Sequence, residues 1–374
     1  MRKTGLFLYI CTPCFWGCAS DEASKEEAQW DGTVFELNCS ELESHFKTAA
    51  TDSSDDWTGY WQCFQESNGC EGEACSWDMS DLPDYVTSET CSAAGSCVIN
   101  GADVQECSSI DNTGYVSFEC SGDDVMITVN GLPDHTFENY AQSGMLPPLL
   151  GSAATDMSYT FSASPTYSAD ADIFDGAGGT YGVAINGVSI FNQFTGGGTV
   201  AVTDEIVDDC GGHPANGTYH YHSLPYCGAL SENETLGASG SHSGLVGLSL
   251  DGFPILGPYG LSDPDDTGSD VVRVESCYTQ TACSDVTDAG CYVFDEEGYE
   301  QGTCHLDRCN GRVTAVPSNL QAALGEQVYA YYMTIEESGA PAFPYLPYCY
   351  RGDAESGTMS GGGNSGPPPS GGPQ

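Results

Sequence analysis

The segment GGHPANGTYHYHSLPYCG, residues 211–228, holds three of the seven histidines in this chain of 374 residues. Its run TYHYHSL alternates phenol and imidazole side chains, a pattern typical of a β-strand. Successive side chains of a strand point to opposite faces, so His220 and His222 share one face and Tyr219 and Tyr221 share the other. The segment therefore predicts a strand that offers two imidazoles to one side and packs two phenol rings on the other.

His213 precedes this strand in GGHPANG, a turn-rich stretch that can fold back and bring a third imidazole beside the other two. Two imidazoles on one strand face can bind one metal ion through nitrogen–metal bonds of about 2 Å, and three neutral imidazoles suit Zn or Cu. A structural cluster, in which the histidines form hydrogen bonds and the tyrosines pack, is an alternative. A catalytic histidine that uses no metal is another. The residues by themselves leave all three interpretations open.

The charge of the chain restricts its partners. It has 54 acidic residues against 8 lysines and arginines, for a formal net charge of −46. Such a chain repels phosphate groups, so we expect no nucleic-acid partner and no direct contact with an anionic membrane surface. The same potential attracts cations.

The N-terminus predicts export. The stretch MRKTGLFLYICTPCFWGC, residues 1–18, has a basic start, an apolar run too short to span a membrane, and a Gly17–Cys18 junction. We therefore predict a lipoprotein signal peptide over 1–17 and lipid attachment at Cys18. The protein would be an outer-membrane lipoprotein, periplasmic, or exposed at the cell surface or outside the cell, and it would touch the membrane only through the lipid.

Cysteine usage agrees with an oxidising compartment, because 19 cysteines in an acidic, glycine-rich chain are typical of disulfide-bonded exported proteins. Beyond Cys18 the cysteines fall into two groups of eight, within residues 39–120 and 210–349, separated by 89 residues without cysteine. Two groups of even size predict two separately cross-linked regions. Within the second group, Cys210 and Cys227 flank the histidine segment, and we predict that they pair and tie its two ends.

The composition and residue pattern of the sequence change near residue 121. Beyond it, DVMITVNG, TYGVAINGVSIFNQ and QVYAYYMTIEE show the alternation, β-branched residues and turn dipeptides of short strands. We predict a mainly β fold, an antiparallel β-sandwich or irregular barrel with long loops, preceded by a small disulfide-rich domain; no internal repeat is evident. The predicted organisation is signal peptide 1–17, tether 18–30, Cys-rich acidic domain 31–120, β domain 121–353 and disordered Gly/Pro/Ser tail 354–374.

Motifs spread over the β domain resemble the YHYH-domain family, in the form of a bacterial secreted protein or lipoprotein. The matching elements are NGLPDH (130–135), YGVAINGVSIFN (181–192), DDCGGHP (208–214), YHYHSLPYC (219–227), HSGLVGLSLDGFPILGPYG (242–260), LDRCNGR (306–312) and FPYLPYCYRG (343–352). Two departures occur: YAYYMT (329–334) lacks a histidine that the family often has there, and Arg308 replaces an acidic residue. The resemblance implies a secreted or surface protein with a β-rich domain and implies no reaction.

The resemblance also places five histidines in shared motif elements, which favours one common site. The candidate metal ligands are His220, His222, His213, His135 and His242. Further candidates, as hard ligands or as groups that orient the histidines, are Asp208, Asp209 and Asp251, with Tyr219 and Tyr221 in a packing role.

Copper or zinc is the expected cofactor. Calcium has weaker support, because the acidic turn DPDDTGSD (263–270) has Val274 where an EF-hand needs its last glutamate. Whether the protein is an enzyme stays open; if it is one, it would be a metal-dependent hydrolase or a redox enzyme. The rival hypothesis is a non-enzymatic surface, adhesion or carbohydrate-binding module with a structural YHYH motif, whose 21 tyrosines offer rings to a polysaccharide or matrix partner.

Overall fold

The computed structural model describes residues 25–46, 75–76, 90–91, 97–99, 102–104, 116–131, 133–135, 157–173, 179–204, 207–215, 218–230, 240–281, 289–354 and 358–360. The predicted signal peptide, Cys18 and most of the predicted disordered tail lie outside these residues. No helix in the described part of the chain is both long and apolar enough to cross a membrane.

Short helices and many short strands make up the described chain. The helices are α1 Lys25–Trp30, α2 Cys39–Glu43, α3 Ala201–Asp204, α4 Glu296–Glu300 and α5 Gln321–Leu324, with 3-10 turns at Gly228–Leu230 and Ala289–Cys291. The strands are β1 Cys75–Ser76, β2 Thr90–Cys91, β3 Cys97–Ile99, β4 Ala102–Val104, β5 Val116–Ser121, β6 Asp124–Val129, β7 Met157–Ser162, β8 Asp172–Ile173, β9 Thr180–Ala184, β10 Ser189–Phe191, β11 Gly212–Ala215, β12 Thr218–Tyr221, β13 Leu245–Ser249, β14 Pro254–Leu256, β15 Tyr259–Leu261, β16 Val271–Arg273, β17 Tyr278–Gln280, β18 Tyr292–Phe294, β19 Gly311–Ala315, β20 Gln327–Tyr332, β21 Cys349–Tyr350 and β22 Thr358–Ser360.

The largest sheet has eight strands in the order β11-β12-β10-β9-β13-β14-β20-β19. Its neighbours are antiparallel except at two places, where β10 pairs in parallel with β12 and β14 pairs in parallel with β20. The central strands β9 and β13 are buried along their whole length, which fits their apolar sequences TYGVA and LVGLS. The mainly β, largely antiparallel prediction is therefore confirmed, with two parallel pairs that the sequence did not indicate.

This sheet has approximate two-fold symmetry about its central pair. Val183 of β9 lies opposite Leu248 of β13. A two-fold rotation about this pair superimposes the residue pair on one side of it on the residue pair on the other side. On each side the chain then turns through a positive-φ glycine, Gly187 or Gly252, into β10 or β14. These strands pair in parallel with β12 and β20, which in turn pair antiparallel with β11 and β19. We call β9–β12 the first half and the set β13, β14, β19 and β20 the second half.

The symmetry corrects the expectation that the chain has no repeat. The matching stretches are only a few residues long, and the segments between them differ in length, so no fixed period marks them in the sequence. Each half nevertheless has the same turn before its outer hairpin. In this turn, an aspartate carboxylate accepts hydrogen bonds from the backbone N–H groups two and four residues later. It also accepts one from the hydroxyl of a tyrosine on the second strand of the hairpin. These residues are Asp208, Cys210, Gly212 and Tyr219 in the first half, and Asp307, Cys309, Gly311 and Tyr329 in the second.

A second, four-stranded antiparallel sheet, in the order β22-β7-β6-β5, covers part of the first. Alternate residues of β7 are buried, as expected for a strand with one face on a core. Tyr159 of β7 reaches the large sheet, with its hydroxyl 2.6 Å from Ser189 Oγ. A Cβ built on Gly187 would lie 2.9 Å from a methyl carbon of Val116, so the two sheets approach closely there. The two open sheets favour the sandwich over the barrel.

Residues before the β domain pack into the same core. Phe35, Leu37, Leu42 and Phe46 are buried with the strands, and the Phe35 ring meets the Phe253 ring edge-on at 6.0 Å. The described ends of the segment 31–120 are therefore in contact with the β domain. The division of the chain into a Cys-rich domain and a β domain stays a prediction, since most of 31–120 lies outside the described residues.

Two described segments differ from the predicted tether and tail. Residues 25–30 of the predicted tether form α1, and Glu27 of this helix is buried in an ion pair of 2.7 Å with Arg351. Residues 358–360 of the predicted tail form β22, because their backbone pairs antiparallel with β7. A fixed ion pair and a strand pairing between distant segments leave no local pattern in the sequence.

Four disulfide bonds are described: Cys39–Cys120, Cys210–Cys227, Cys277–Cys304 and Cys309–Cys349. Each joins two cysteines of the same predicted group of eight. The predicted pairing of Cys210 with Cys227 is confirmed. Cys309–Cys349 is its counterpart in the second half, since both bridges start at the cysteine of the shared turn.

Candidate metal centre

The histidine segment forms the outer hairpin of the first half. His213 on β11 lies directly opposite His220 on β12, and antiparallel partners in register place their side chains on the same face. His222 follows β12, and its backbone N–H donates to the carbonyl of Gly211 at 3.0 Å. The parallel neighbour β10 places Ser189 beside His220 on the other side. The hairpin register thus brings together the three histidines that the sequence separates by up to nine positions.

The three imidazoles point their Nε2 atoms at one another. His220 Nε2 lies 3.1 Å from His213 Nε2 and 3.1 Å from His222 Nε2. Nitrogen atoms bound to one zinc or copper ion at about 2.0–2.1 Å lie roughly 3.3–3.6 Å apart in tetrahedral or trigonal geometry. The two distances from His220 Nε2 are therefore within a few tenths of an ångström of those in the ligand set of one metal ion.

Contacts outside the cluster prepare His222 for binding a metal. Its Nδ1 lies 2.8 Å from the carbonyl oxygen of Asn192, and a carbonyl oxygen can only accept a hydrogen bond. Nδ1 therefore carries the proton, and Nε2 presents its lone pair to the cluster. Burial, together with the neighbouring His213, lowers the pKa of His222 to about 3, so this ring is neutral at neutral pH.

The cluster is closed to solvent. His213, His220 and His222 are only 1%, 3% and 2% exposed. The Phe191 ring stacks on His220 with a centroid separation of 3.9 Å and covers one side of the site. The described side chains that converge here are three imidazoles, without a thiolate or a carboxylate. Such a ligand set is typical of zinc or copper and unlike the oxygen ligands that calcium or magnesium prefer.

The opposite face of β12 carries the tyrosines, as the alternation predicts. Both rings are fully buried, and they meet edge-on with a centroid separation of 5.6 Å. The Tyr219 hydroxyl donates to Asp208 at 2.7 Å. The Tyr221 hydroxyl accepts from Asn186 Nδ2 at 2.9 Å and lies 2.7 Å from Nε2 of His135. These hydrogen bonds anchor the hairpin to the core from behind the histidine cluster.

His135 therefore lies on the tyrosine side and not in the histidine cluster. Its imidazole packs edge-on against Tyr219 with centroids 5.6 Å apart. Its ring nitrogen also lies within 4.8 Å of the sulfurs of Cys210 and Cys227, but these sulfurs form a disulfide bond and offer no thiolate to a metal. The structure thus does not bring His135 together with His213, His220 and His222, because the hairpin has two faces and His135 contacts the other one.

His242 also lies apart from the cluster. Its Nδ1 contacts the carbonyl oxygen of Ser243 at 2.8 Å, and burial, opposed by this hydrogen bond, lowers its pKa. The charge of Arg312, in the second half, also lowers the pKa of His242. The structure thus brings together three of the five predicted histidines, and His135 and His242 lie apart from them.

The three predicted aspartates have different environments. Asp208 is buried, burial raises its pKa, and it supports the hairpin through Tyr219 without contacting the imidazoles of the cluster. Asp209 is exposed. Asp251 is buried in the second half, where it accepts a hydrogen bond of 2.5 Å from Tyr331, and burial raises its pKa too. None of the three is among the groups that converge on the histidine cluster.

The acidic turn proposed for loose calcium binding is exposed and uses its carboxylates locally. Asp263 accepts the backbone N–H of Asp265 at 3.1 Å, and Asp266 accepts that of Gly268 at 2.8 Å. These are the hydrogen bonds of ordinary Asx turns. The turn therefore has a structural explanation that requires no cation.

Two contributors to the site were not predicted. Asn192 supplies its backbone carbonyl to His222, and Phe191 supplies the ring that covers His220. Both lie at the end of the segment YGVAINGVSIFN. Its apolar alternation predicts a strand but does not indicate which other strand it pairs with. Only the parallel pairing of β10 with β12 places them beside the histidines.

A disulfide-bonded β-sandwich with a buried cluster of three histidines is the class of protein that the fold and the site define. The family model described as YHYH protein matches residues 158–352, more than half of the chain. The chain belongs to this family. No curated protein and no solved structure shows significant similarity to it.

Proposed function

We propose that this protein binds one transition-metal ion, copper or zinc, through His213, His220 and His222. The observation that supports this most strongly is the convergence of three buried Nε2 atoms, of which that of His220 lies within hydrogen-bonding distance of the other two. Two neutral imidazole nitrogens gain one hydrogen bond at most, whereas three lone pairs directed at one point match a metal ion. The backbone contact that fixes the His222 tautomer adds to this fit.

The same site favours tight, closed binding over an exposed reactive centre. A metal that activates water needs a coordination position open to solvent. Here the hairpin and the Phe191 ring enclose the three imidazoles, which are almost fully buried. The function that we propose is therefore metal binding in an enclosed three-imidazole site, without an assigned reaction.

Metal content tests the proposal. Purified full-length protein should contain or take up one equivalent of copper or zinc, measured by elemental mass spectrometry and calorimetric titration. Metal at about 100 times its dissociation constant should raise the stability by about 2.7 kcal/mol. The double variant His220→Ala/His222→Ala should lose both the uptake and the stabilisation.

The variant His135→Gln is the matched control, because it removes an imidazole from the other face of the hairpin. It should take up metal as the wild type does. Absence of stoichiometric uptake by the folded wild-type protein would refute the metal site. Equal loss in the control would show that the hairpin fold, and not the ligand set, governs uptake.

We also propose that the protein is exported and held by lipid at Cys18, with a cell-surface or periplasmic position. The four described disulfide bonds support an oxidising compartment, and the sequence of residues 1–18 has the features of a lipoprotein signal. Mass spectrometry of the mature N-terminus is the test. A diacylated or triacylated Cys18 is expected, and an unprocessed Met1 would contradict it.

A further inference from the structure

The second half of the large sheet has different side chains at the positions of the histidine cluster. Arg312 lies opposite Ala330, as His213 lies opposite His220. Tyr332 takes the place of His222. Its backbone N–H donates to the carbonyl of Asn310, just as that of His222 donates to the carbonyl of Gly211, and both acceptor residues have a positive φ. The symmetry of the sheet thus produces a second buried location with an arginine and a tyrosine in place of two imidazoles.

Arg312 is a buried cation that pairs with no carboxylate in the described part of the chain. Its side chain is only 6% exposed, Nη2 donates to the carbonyl of Leu261, and the guanidinium lies over the Tyr332 ring at 5.4 Å. Its Nε–H is buried without a hydrogen-bond acceptor, and no described carboxylate forms an ion pair with it. Arg351, the other deeply buried arginine, pairs with both Glu27 and Asp307. Among the described residues, no carboxylate balances this buried guanidinium, so its charge is available to an anion.

Two further buried polar atoms near Arg312 lack partners, namely the Tyr332 hydroxyl and Nε2 of His242. A Cβ built on Gly260 would lie 2.9 Å from Arg312 Nη2 and 3.1 Å from the Tyr332 ring, so both side chains meet over Gly260. His242 comes from the adjoining segment, because Ser243 and Tyr259 are hydrogen-bonded to each other through two contacts. The pKa effect of Arg312 on His242 agrees with this proximity.

The three atoms differ in hydrogen-bonding character. Arg312 Nε and the Tyr332 hydroxyl donate, and the guanidinium adds a positive charge. His242 has its proton on Nδ1, which faces the Ser243 carbonyl, so its neutral ring presents Nε2 as an acceptor. Two donors, a positive charge and one acceptor are complementary to a small oxyanion that carries one hydroxyl group.

We propose that Arg312, Tyr332 and His242 bind a small protonated oxyanion of the hydrogencarbonate or hydrogenphosphate type. The anion's charged oxygens accept from Arg312 and Tyr332, and its hydroxyl donates to His242. This site lies in the second half and is independent of metal binding in the first, so either one can be refuted without the other.

Calorimetric titration of the full-length protein with hydrogencarbonate and with phosphate near neutral pH tests the site. One of them should bind saturably at one equivalent per chain, and sulfate, which has no hydroxyl at this pH, should bind at least several-fold more weakly. Tyr332→Phe keeps the ring and removes only the hydroxyl, so it should fold and bind about tenfold more weakly. Arg308→Gln removes a surface arginine that pairs with Glu296 and should change the affinity by less than about twofold.

A wild-type protein without saturable binding of either anion would overturn the proposal, and so would equal affinity of the wild type and Tyr332→Phe. Sulfate binding as tight as that of the hydroxyl-bearing anions would contradict the role of His242. A crystal structure grown with the anion should place it within hydrogen-bonding distance of all three atoms. Ordered water alone at these atoms would assign them a structural role instead.

Discussion

The two halves of the eight-stranded sheet share a framework and differ on the face that it supports. In both halves an aspartate organises the turn, a cysteine anchors it by a disulfide bond, and a tyrosine hydroxyl closes the hairpin. On the supported face, the first half has three imidazoles and the second has Arg312, Ala330 and Tyr332. The backbone hydrogen bonds therefore define the hairpin, while the side chains on the supported face can differ in their chemistry.

The halves also differ behind the hairpin. Asp307 accepts from the buried guanidinium of Arg351 at 3.0 Å in addition to its turn contacts, whereas Asp208 accepts from neutral groups only among its described contacts. The second half is therefore held by a buried ion-pair network, whereas in the first half the buried carboxylate accepts hydrogen bonds from uncharged donors. Substitutions at equivalent positions should separate these two kinds of support.

The largest difference is expected between Asp307→Asn and Asp208→Asn. Asp307→Asn leaves the buried Arg351 with Glu27 as its remaining carboxylate, and breaking a buried ion pair from one side costs about 3–5 kcal/mol. Asp208→Asn removes no ion pair but weakens hydrogen bonds to a carboxylate, and should cost about 1.5–3 kcal/mol. Urea unfolding of both variants gives the two values. Equal losses would show that Arg351 does not distinguish the halves.

The second difference concerns pH. The pKa of His222 is about 3 in the folded protein and about 6.5 in the unfolded chain, so between these values only the unfolded chain binds the proton. The free energy of unfolding of metal-free protein should therefore be fully retained above about pH 6.5. It should fall below that, by up to about 1.4 kcal/mol per pH unit from this group, as the pH is lowered towards 3.

His222→Gln should remove that part of the pH slope, measured by urea unfolding at several pH values in the presence of a chelator. Tyr332→Phe, the change at the equivalent position of the second half, should retain it, because it leaves His222 in place. The lowered pKa of His242 acts with the same sign in all three proteins and cancels in the comparison. An unchanged slope in His222→Gln would assign the acid sensitivity to other groups.

The smallest difference is expected between Tyr331→Phe and Tyr221→Phe. The Tyr331 hydroxyl donates to the carboxylate of Asp251, whereas the Tyr221 hydroxyl contacts Asn186 and His135. A hydrogen bond to a charged group contributes about 1.5–3 kcal/mol and one between neutral groups about 0.5–1.5 kcal/mol. Thermal unfolding should thus rank Tyr331→Phe as the less stable variant. Since Tyr221 lies behind the hairpin, Tyr221→Phe should leave metal uptake unchanged, and reduced uptake would contradict the separation of the two faces.

Part of the site could be predicted from local sequence. Alternation in TYHYH correctly assigned His220 and His222 to one face and the two tyrosines to the other, because the strand period of two is a property of the backbone. The turn-rich GGHPANG correctly brought His213 back to that face. Pairing of Cys210 with Cys227 followed from their positions at the two ends of the segment.

The rest of the site depends on contacts between distant segments. His135 and His242 occur in motifs of the same family, but the fold places His135 on the tyrosine face and His242 in the segment that pairs with Tyr259. The two-fold symmetry of the sheet could not be predicted from the sequence. The two halves share glycines, aspartates and tyrosines at matching places, but the spacing between these residues is not constant. Register and pairing, which such contacts decide, have no local signature.

The sequence by itself determined a mainly β chain, the faces of the central hairpin and membership of its histidines in one family pattern, since all of these rest on periodicity and short motifs. Only the tertiary structure decided which histidines meet. Three of them share one face because β11 and β12 pair in register, and β10 adds the carbonyl that orients His222. The tertiary structure also revealed Arg312 as the counterpart of His213, because equivalence between two halves of a sheet is a relation between strands and not between neighbouring residues.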